Sequence, residues 1–335
     1  MSDLLIRCSA VSKARRFSAV VRRMITQAFV LGAGLGLRLR PLTEDLPKPL
    51  VPIFQKPLIT FALDHLAAAG VKSFVVNTHH LPAAFEALFA DGLYREHPVR
   101  LVHEPVLLET GGGIKNAQPW LGTKPFIAYS GDVLTDLALE PLLEAHFRSG
   151  NDVTLALRKT GLASNVAFRD GDGQVIDIGN RYGHPGNYDY ANVSVWSPQI
   201  FERIPSGKKV SFIPVLAEWI GAGGRIGGVV SQEGRWWNLG SRAEYLAVHR
   251  TLSEESVAAG LRAAVRLAHP DRTRRERRSQ RASARLLVDR GRLSRRRRRD
   301  RRGLDPLARR TNCLPLPAES LYRPHPAQRR GSDGC

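Results

Sequence analysis

A glycine-rich stretch followed by two basic side chains is the part of this sequence best suited to chemistry. Gly32, Gly34 and Gly36 come directly after an apolar run, and Arg38 and Lys48 follow them. Glycines let backbone N–H groups approach a polyphosphate closely. An arginine can grip phosphate oxygens with paired hydrogen bonds, and a lysine adds a point charge. The pattern predicts a phosphate-binding loop, with a tight turn before a helix as the alternative.

A second glycine cluster opens a predicted helix at residues 109–113, which read Glu-Thr-Gly-Gly-Gly. Three glycines make room for a base or a ribose to lie against the backbone, and a helix N-terminus favours anions. The cluster therefore indicates nucleotide contacts, and the alternative interpretation is a flexible loop.

Asp132 follows the apolar run Phe126–Ser130, at the expected carboxyl end of a sheet. Open α/β folds bind their ligands at this edge. A carboxylate there can hold Mg²⁺, which binds oxygen and usually keeps several waters. An aspartate after a strand can instead cap a helix, and this is the role we expect for Asp136.

The elements that must position these residues alternate between strand and helix. Apolar runs predict strands over 27–31, 71–77, 99–103, 126–130 and 152–157, and amphipathic periods predict helices over 81–90 and 139–148. Such alternation predicts the α/β class: a Rossmann-like, mostly parallel sheet with helices on both faces. Beyond residue 164, short strands separated by turn residues predict a small antiparallel lobe.

Charge divides the chain into three parts. The net charge of the 335 residues is +19, but residues 261–335 carry +16 and residues 1–23 carry +5, which leaves −2 for residues 24–260. We therefore expect one near-neutral domain over 24–260. Residues 1–23 are expected to be a disordered basic extension or an unused upstream start. Residues 261–335, with 23 arginines and no lysine, are expected to be a disordered tail or a frameshift product.

Composition also excludes several classes of protein. The three cysteines lie at positions 8, 313 and 335, so the central domain has neither a disulfide framework nor a cysteine-based zinc site. No apolar run approaches the roughly 18 residues of a membrane span, and the N-terminus lacks the apolar core of a signal peptide. We expect a cytoplasmic protein without a membrane partner. Nucleic acid is an expected partner only through the arginine-rich tail.

Two linked motifs, the glycine-rich segment at 34–41 and the Pro-Lys-Pro-Leu segment at 47–50, resemble the signature of the sugar-1-phosphate nucleotidyltransferases. Gly34, Gly36, Arg38 and Pro41 match the first half of the family signature, and Pro47–Leu50 matches its Pro-Lys-Pro-Leu half. The similarity extends to about residue 252. The run at 108–114 is especially similar to the N-acetylmuramate-1-phosphate uridylyltransferases and to enzymes acting on mannose 1-phosphate.

The resemblance implies an Mg²⁺-dependent reaction of a nucleoside triphosphate with a sugar 1-phosphate. Arg38 and Lys48 would be the catalytic residues. The implied nucleotide contacts are Leu31, Gly32, Ala33, Gly34, Gly36, Leu37, Arg38, Lys48, Asn77, Glu109, Thr110, Gly111, Gly112 and Gly113. The implied sugar contacts are Asn165, Asn192 and Trp237, with Tyr190 in the same segment. The implied metal ligands are Asp132 and Asn238.

Asn238 departs from the family pattern, in which this position is usually aspartate. An amide oxygen can still coordinate Mg²⁺ but contributes no charge. The departure keeps open a catalytically weakened nucleotide-sugar-binding module. For an active enzyme, uridylyl transfer to N-acetylmuramate 1-phosphate is the first expectation, and guanylyl transfer to mannose or heptose 1-phosphate is the alternative. Either product would be a precursor of cell wall or polysaccharide. The sequence does not fix the oligomeric state.

Overall fold

The computed structural model describes residues 24–161 and 164–254, so the expectations for residues 1–23 and 261–335 lie outside the described residues. Across these ranges, apolar runs form the strands β1 (Gln27–Leu31), β2 (Pro52–Ile53), β3 (Lys56–Pro57), β4 (Ser73–Thr78), β5 (Leu93–Tyr94), β6 (His97–His103), β7 (Phe126–Ser130), β8 (Val133–Thr135), β9 (Val153–Arg158), β10 (Val166–Arg169), β11 (Gln174–Ile178), β12 (Asp189–Trp196), β13 (Ile226–Val230) and β14 (Trp236–Asn238).

Amphipathic segments form the helices that alternate with these strands. They are α1 (Leu58–Ala68), α2 (Pro82–Leu88), α3 (Glu109–Asn116), α4 (Gln118–Leu121), α5 (Glu140–Ser149), α6 (Ile200–Arg203), α7 (Phe212–Gly221) and α8 (Arg242–Glu254). Two short 3₁₀ turns, Leu37–Leu39 and Lys48–Leu50, follow the glycine-rich stretch. Among the described residues, no helix combines the length and apolar character that crossing a bilayer requires.

Ten strands form one sheet in the order β10-β11-β13-β9-β12-β7-β1-β4-β6-β5. The pairings make β5, β11 and β12 run opposite to the other seven strands. The predicted α/β class and mostly parallel sheet are confirmed. The antiparallel strands beyond residue 164 belong to this same sheet, with β12 inserted between β7 and β9.

Alternating side chains give the sheet an apolar core on each face. In β1, Ala28 and Val30 join the cluster that packs under α1, α2 and α5, whereas Phe29 joins the cluster under α3, α4, α6 and α7. In β7, Tyr129 faces the first cluster and Phe126 the second. Each central strand is therefore buried on both faces, as parallel sheets covered by helices require.

A two-stranded ribbon of β8 and β14 lies beyond the end of β7. Asn238 of β14 pairs with Val133 of β8, and Trp236 pairs with Thr135. The ribbon carries the segment that follows Asp132 and the segment that precedes α8, and in this way it brings residues about 100 positions apart to one end of the sheet.

Candidate functional site

The carboxyl ends of β1 and β7 begin the site. The two strands are parallel neighbours, and Leu31 stands opposite Ser130. The backbone N–H of Gly131 donates to the carbonyl oxygen of Leu31 over 2.9 Å. A Cβ on Gly131 would lie 2.7 Å from that same oxygen, so only glycine lets the two loops leave the sheet this close together.

Lys48 and Asp132 meet across these two loops. Lys48 lies between two prolines in the second 3₁₀ turn and is only 8% exposed. Its Nζ contacts Oδ2 of Asp132, a side chain that is 29% exposed. The contact joins the two strongest sequence predictions, a phosphate-binding lysine and a metal-binding carboxylate, in one partly buried ion pair.

Asn238 lies next to Asp132. It stands opposite Val133 in the ribbon, and the following backbone N–H, of Leu239, donates to the carbonyl oxygen of Asp132 over 3.3 Å. The Asn238 side chain is half-buried, and no residue in the described ranges makes a hydrogen bond with its amide. The amide is therefore available for a ligand.

The oxygens of Asp132 and Asn238 are a donor set that suits Mg²⁺. No group of three or more His, Cys, Asp or Glu side chains at metal-binding spacing occurs within residues 24–161 and 164–254. Mg²⁺ is usually held by one or two protein oxygens together with waters and substrate phosphates, so two donors are sufficient. The residues fit this ion, and they do not fit a closed cage such as a structural zinc site.

The side chain of Asn77 holds the backbone of the glycine-rich loop at Gly32. Its Oδ1 accepts from the backbone N–H of Gly32 over 2.8 Å, and its Nδ2 donates to Oε1 of Glu104 over 2.7 Å. Asn77 is 2% exposed and Glu104 is fully buried. The expected nucleotide contact of Asn77 is therefore corrected to an indirect one, in which its amide fixes the backbone of the loop.

Some of the remaining loop residues are buried, and others are exposed to solvent. Ala33 is 5% exposed, and Leu31 is half-buried. Gly36 has a φ of +63°, and a Cβ there would lie 2.9 Å from Cβ of Lys48, so this glycine lets the loop fold against the lysine. The Leu37 side chain is 55% exposed. The nucleotide contact expected at this residue stays a prediction, and it concerns the backbone of Leu37.

Gly34 differs from its neighbours because a Cβ there would meet nothing within 4 Å. The fold does not need glycine at this position, and the free space is available for phosphate. We expect Gly34→Ala to keep the thermal unfolding midpoint of the full chain and to raise the dissociation constant for nucleoside triphosphate about tenfold, the equivalent of about 1.4 kcal/mol.

Calorimetric titration of the nucleotide and a thermal melt measure the two effects separately. Gly171→Ala is the matched control, since a Cβ at that glycine also meets nothing and the residue lies on the turn between β10 and β11. Unchanged nucleotide affinity in Gly34→Ala would show that phosphate does not approach this part of the loop.

Arg38 lies against the segment that follows β14. A Cβ on Gly240 would stand 3.0 Å from Nη2 of Arg38 and 3.1 Å from Oε2 of Glu244. At the start of α8, Oγ of Ser241 accepts from the backbone N–H of Glu244 over 3.3 Å and donates to Oε2 of Glu244 over 2.9 Å. The exposed guanidinium therefore lies near Gly240, two residues beyond Asn238, so the arginine predicted to bind phosphate lies near a predicted metal ligand.

The backbone of the second glycine cluster packs closely against residues 208–210. Gly111 and Gly112 both donate backbone N–H groups to the carbonyl oxygen of Val210, over 2.8 and 2.9 Å. Cβ atoms on Gly111, Gly112 and Gly113 would lie 2.9 Å from that oxygen, 2.5 Å from the carbonyl oxygen of Lys208 and 2.7 Å from the Asn77 amide. Glycine is therefore required here for packing against protein, and the predicted contact of this cluster with a nucleotide stays a prediction.

The two residues before these glycines are also engaged. Thr110 accepts from the backbone N–H of Phe212 over 3.1 Å, and Glu109 lies 3.4 Å from Nζ of Lys209. Glu109 remains exposed at the start of α3. The first turn of α3 is thus docked on residues 208–212, and Glu109 is the member of the cluster with a side chain open to a ligand.

The predicted sugar contacts separate in the structure. Asn192 lies at a break in the pairing of β12, with a φ of +62°, and the preceding carbonyl, of Ala191, accepts from Nε1 of Trp236 over 2.8 Å. Trp237 stands opposite Leu134 in the ribbon. Asn192 and Trp237 therefore lie at the end of the sheet that carries Asp132.

Asn165 and Tyr190 are placed less favourably. Asn165 is exposed at the start of β10, where its backbone pairs with residues 179 and 188. The hydroxyl of Tyr190 bonds with Oγ of Ser194 over 2.7 Å, and its ring packs edge-on against Phe212. Burial raises the pKa of the Tyr190 phenol, and the side chain is half-buried. Its predicted sugar contact stays a prediction.

His65 and Tyr129 form an uncharged pair next to the carboxyl end of β7. Nδ1 of His65 is 3.2 Å from the hydroxyl of Tyr129, the residue before Ser130. Burial lowers the pKa of His65 and raises the pKa of Tyr129, so both are neutral near pH 7. Sequence reasoning did not identify this pair, or Glu104, or Trp236, because each acts through a contact far along the chain.

The chain is similar to known proteins in sequence and in fold. The family model described as nucleotidyl transferase matches residues 27–255. A mannose-1-phosphate guanylyltransferase of Mycobacterium tuberculosis is 36% identical over 187 residues, 55% of this chain and 52% of that protein. An N-acetylmuramate alpha-1-phosphate uridylyltransferase of Caulobacter vibrioides is 34% identical over 239 residues, 68% of this chain and 97% of that protein. The chain thus spans about half the length of the first relative and nearly all of the second.

Solved structures share the fold. HddC from Yersinia pseudotuberculosis has a TM-score of 0.58 at 21% identity and covers 68% of this chain and all of its own. A UDP-glucose pyrophosphorylase from Acinetobacter baumannii has a TM-score of 0.59 at 17% identity. At these identities the likeness shows the common fold alone.

Proposed function

The chain belongs to the nucleotidyl transferase family, and from this premise we propose that it joins a nucleoside triphosphate to a sugar 1-phosphate and releases pyrophosphate. The observation that carries the proposal is the Lys48–Asp132 ion pair, placed beside the free amide of Asn238 and below the glycine-rich loop. A lysine, a carboxylate and open backbone N–H groups at one sheet edge suit a triphosphate and a divalent ion.

The proposed reaction needs no nucleophile from the protein. An oxygen of the sugar phosphate attacks the α-phosphorus, the new P–O bond forms, and the bond from the α-phosphorus to the bridging oxygen breaks, so that pyrophosphate leaves with its electron pair. Catalysis of this kind depends on positioning and on stabilisation of charge. Arg38 would stabilise the departing β- and γ-phosphates, and Lys48 would hold phosphate oxygens at the reacting centre.

Asp132 and Asn238 are the residues that would hold Mg²⁺. When bound, the ion would neutralise charge on the phosphates and align the reacting groups. Enzymes of this family generally use a divalent metal. The carboxylate of Asp132 supplies the only formal negative charge of the pair.

Asn238→Asp tests how far the amide limits the metal. We expect the second carboxylate to lower the Mg²⁺ concentration for half-maximal rate several-fold, because affinity rises with ligand charge, and to leave kcat within about threefold. Initial rates across an Mg²⁺ series measure both quantities, with Asn180→Asp as a control that adds the same charge at an exposed turn. A gain of about a hundredfold in kcat would instead favour the weakened binding module.

We propose uridylyl transfer to N-acetylmuramate 1-phosphate, or a closely similar sugar, as the specific reaction. The support is coverage: the chain matches 97% of the Caulobacter uridylyltransferase and 83% of a second such protein from Neisseria meningitidis. Guanylyl transfer to mannose 1-phosphate is the second candidate, favoured by the 36% identity to the mycobacterial protein. The product of either reaction would serve as a cell-wall or polysaccharide precursor.

A matrix of UTP, GTP, dTTP, CTP and ATP against sugar 1-phosphates separates these candidates. The sugar panel holds N-acetylmuramate, mannose and heptose 1-phosphates. The proposal expects the highest kcat/KM for UTP with N-acetylmuramate 1-phosphate. A preference for GTP with mannose or heptose 1-phosphate would assign the second candidate and reject the first.

A further inference from the structure

Arg158 is the last residue of β9, and its guanidinium binds the backbone carbonyl groups of residues 231–234, the loop that precedes β14. Nη1 donates to the carbonyl oxygens of Ser231 over 2.8 Å and Glu233 over 3.0 Å. Nη2 donates to those of Gln232 and Gly234, each over 3.1 Å. Four consecutive carbonyls therefore point at one guanidinium.

The chemistry of this contact is specific to arginine. Each terminal nitrogen of the guanidinium carries two hydrogens, so the four hydrogens match the four carbonyl oxygens in one planar group. Without a cation, the four carbonyl dipoles would converge on one another and repel. A lysine ammonium has three donors and no planar fork, so it cannot reproduce the set.

The other side of the same loop is fixed by β8 and the residue after it. The backbone N–H of Arg235 donates to Oδ1 of Asp136, and the carbonyl oxygen of Arg235 accepts from Asp136 N over 3.2 Å. The hydroxyl of Thr135 donates to that carbonyl as well. Residues 231–235 are therefore held on one side by Arg158 of β9 and on the other side by Asp136, which directly follows β8.

Strand β14 begins at the residue after this loop and carries Asn238 at its third position. The loop therefore decides where β14 starts against β8 and, with it, where the Asn238 amide stands relative to Asp132. We propose that Arg158 is a positioning residue for the metal-binding pair. The inference rests on the proposed function, since a metal role for Asp132 and Asn238 is part of that proposal.

Binding of Mn²⁺ alone to the full chain tests this without any turnover. The free ion is measured by electron paramagnetic resonance in the absence of both substrates. We expect Arg158→Lys to raise the dissociation constant for Mn²⁺ about tenfold, the loss usual when a residue that orients a metal ligand is changed. Arg169→Lys is the matched control, because Arg169 pairs with Asp172 on an exposed turn. The dissociation constant of this variant for Mn²⁺ should equal that of the wild type.

Rescue separates positioning from a general loss of folding. We expect added guanidinium ion, at millimolar concentrations far below denaturing ones, to restore Mn²⁺ binding to Arg158→Ala and to leave Arg158→Lys unimproved. Equal Mn²⁺ binding by wild type and Arg158→Lys would overturn the role of Arg158 and leave the proposed function standing. A folded wild-type chain that binds no Mn²⁺ without substrates would overturn this inference, whereas the proposed function is judged separately by Mg²⁺-dependent release of pyrophosphate.

Discussion

Lys48→Ala is expected to lower kcat by about 10³-fold while the protein remains folded. Lys48 is 8% exposed, and its ammonium contacts the Asp132 carboxylate at the sheet edge. It is therefore a preorganised positive charge at the place where the proposed reaction develops negative charge, and alanine leaves nothing in its position. Steady-state pyrophosphate release at saturating substrates measures the effect.

The control for this variant is Lys72→Ala, which removes a lysine of the same domain from an exposed position before β4. Its kcat should equal that of the wild type. A thermal melt of Lys48→Ala shows whether the chain is folded at the assay temperature. Turnover within about threefold of the wild type in folded Lys48→Ala would remove this lysine from the mechanism.

Asp132→Asn is expected to reduce kcat/KM by about 10³-fold, a loss comparable to removing a principal electrostatic contact. The substitution keeps the shape of the side chain but removes the only formal negative charge of the proposed metal-binding pair. We also expect the Mg²⁺ concentration for half-maximal rate to rise, so that added Mg²⁺ restores part of the activity. Rates measured across an Mg²⁺ series at fixed substrate concentrations give both quantities.

Asp91→Asn provides the matched control, since it makes the same chemical change at an exposed position. The double variant Lys48→Ala/Asp132→Asn adds a test of coupling. Because the two groups act as one ion pair, the combined loss should be clearly smaller than the product of the two single losses. Independent, multiplicative losses would contradict a shared role at one centre.

The strands that build the site could be predicted because their signal is local. The apolar runs at 27–31 and 126–130 match β1 and β7 residue for residue, and the position of Asp132 just after β7 follows from them. The register that places Leu31 opposite Ser130 then brings the two loops together. Periodicity and the parallel topology were sufficient for this part.

The packing of the second glycine cluster could not be predicted, because the residues that require glycine there lie about 100 positions away. Glycine at 111 and 112 is needed where the carbonyls of Lys208 and Val210 approach the backbone. A glycine that makes room for protein and a glycine that makes room for a ligand look identical in a sequence. Only the packing distinguishes Gly112 from Gly34, where the space is open.

The insertion of β12 between β7 and β9 was also beyond local reasoning. Its apolar run predicts a strand, but strand pairing depends on the whole topology. The same holds for the side chains of Asn77 and Arg158, which bind backbone groups 45 and 73 to 76 residues away. Side chains that bind backbone leave no sequence pattern, because any residue offers the partner atoms.

Release of pyrophosphate by the purified full chain with Mg²⁺ tests the central claim most directly. The proposed function predicts release only when a nucleoside triphosphate and a sugar 1-phosphate are both present, with one nucleoside diphosphate sugar formed for each pyrophosphate. Release without the sugar phosphate would indicate hydrolysis and contradict the transfer mechanism. No release from any pair by the folded chain would contradict the enzymatic function and favour the binding module.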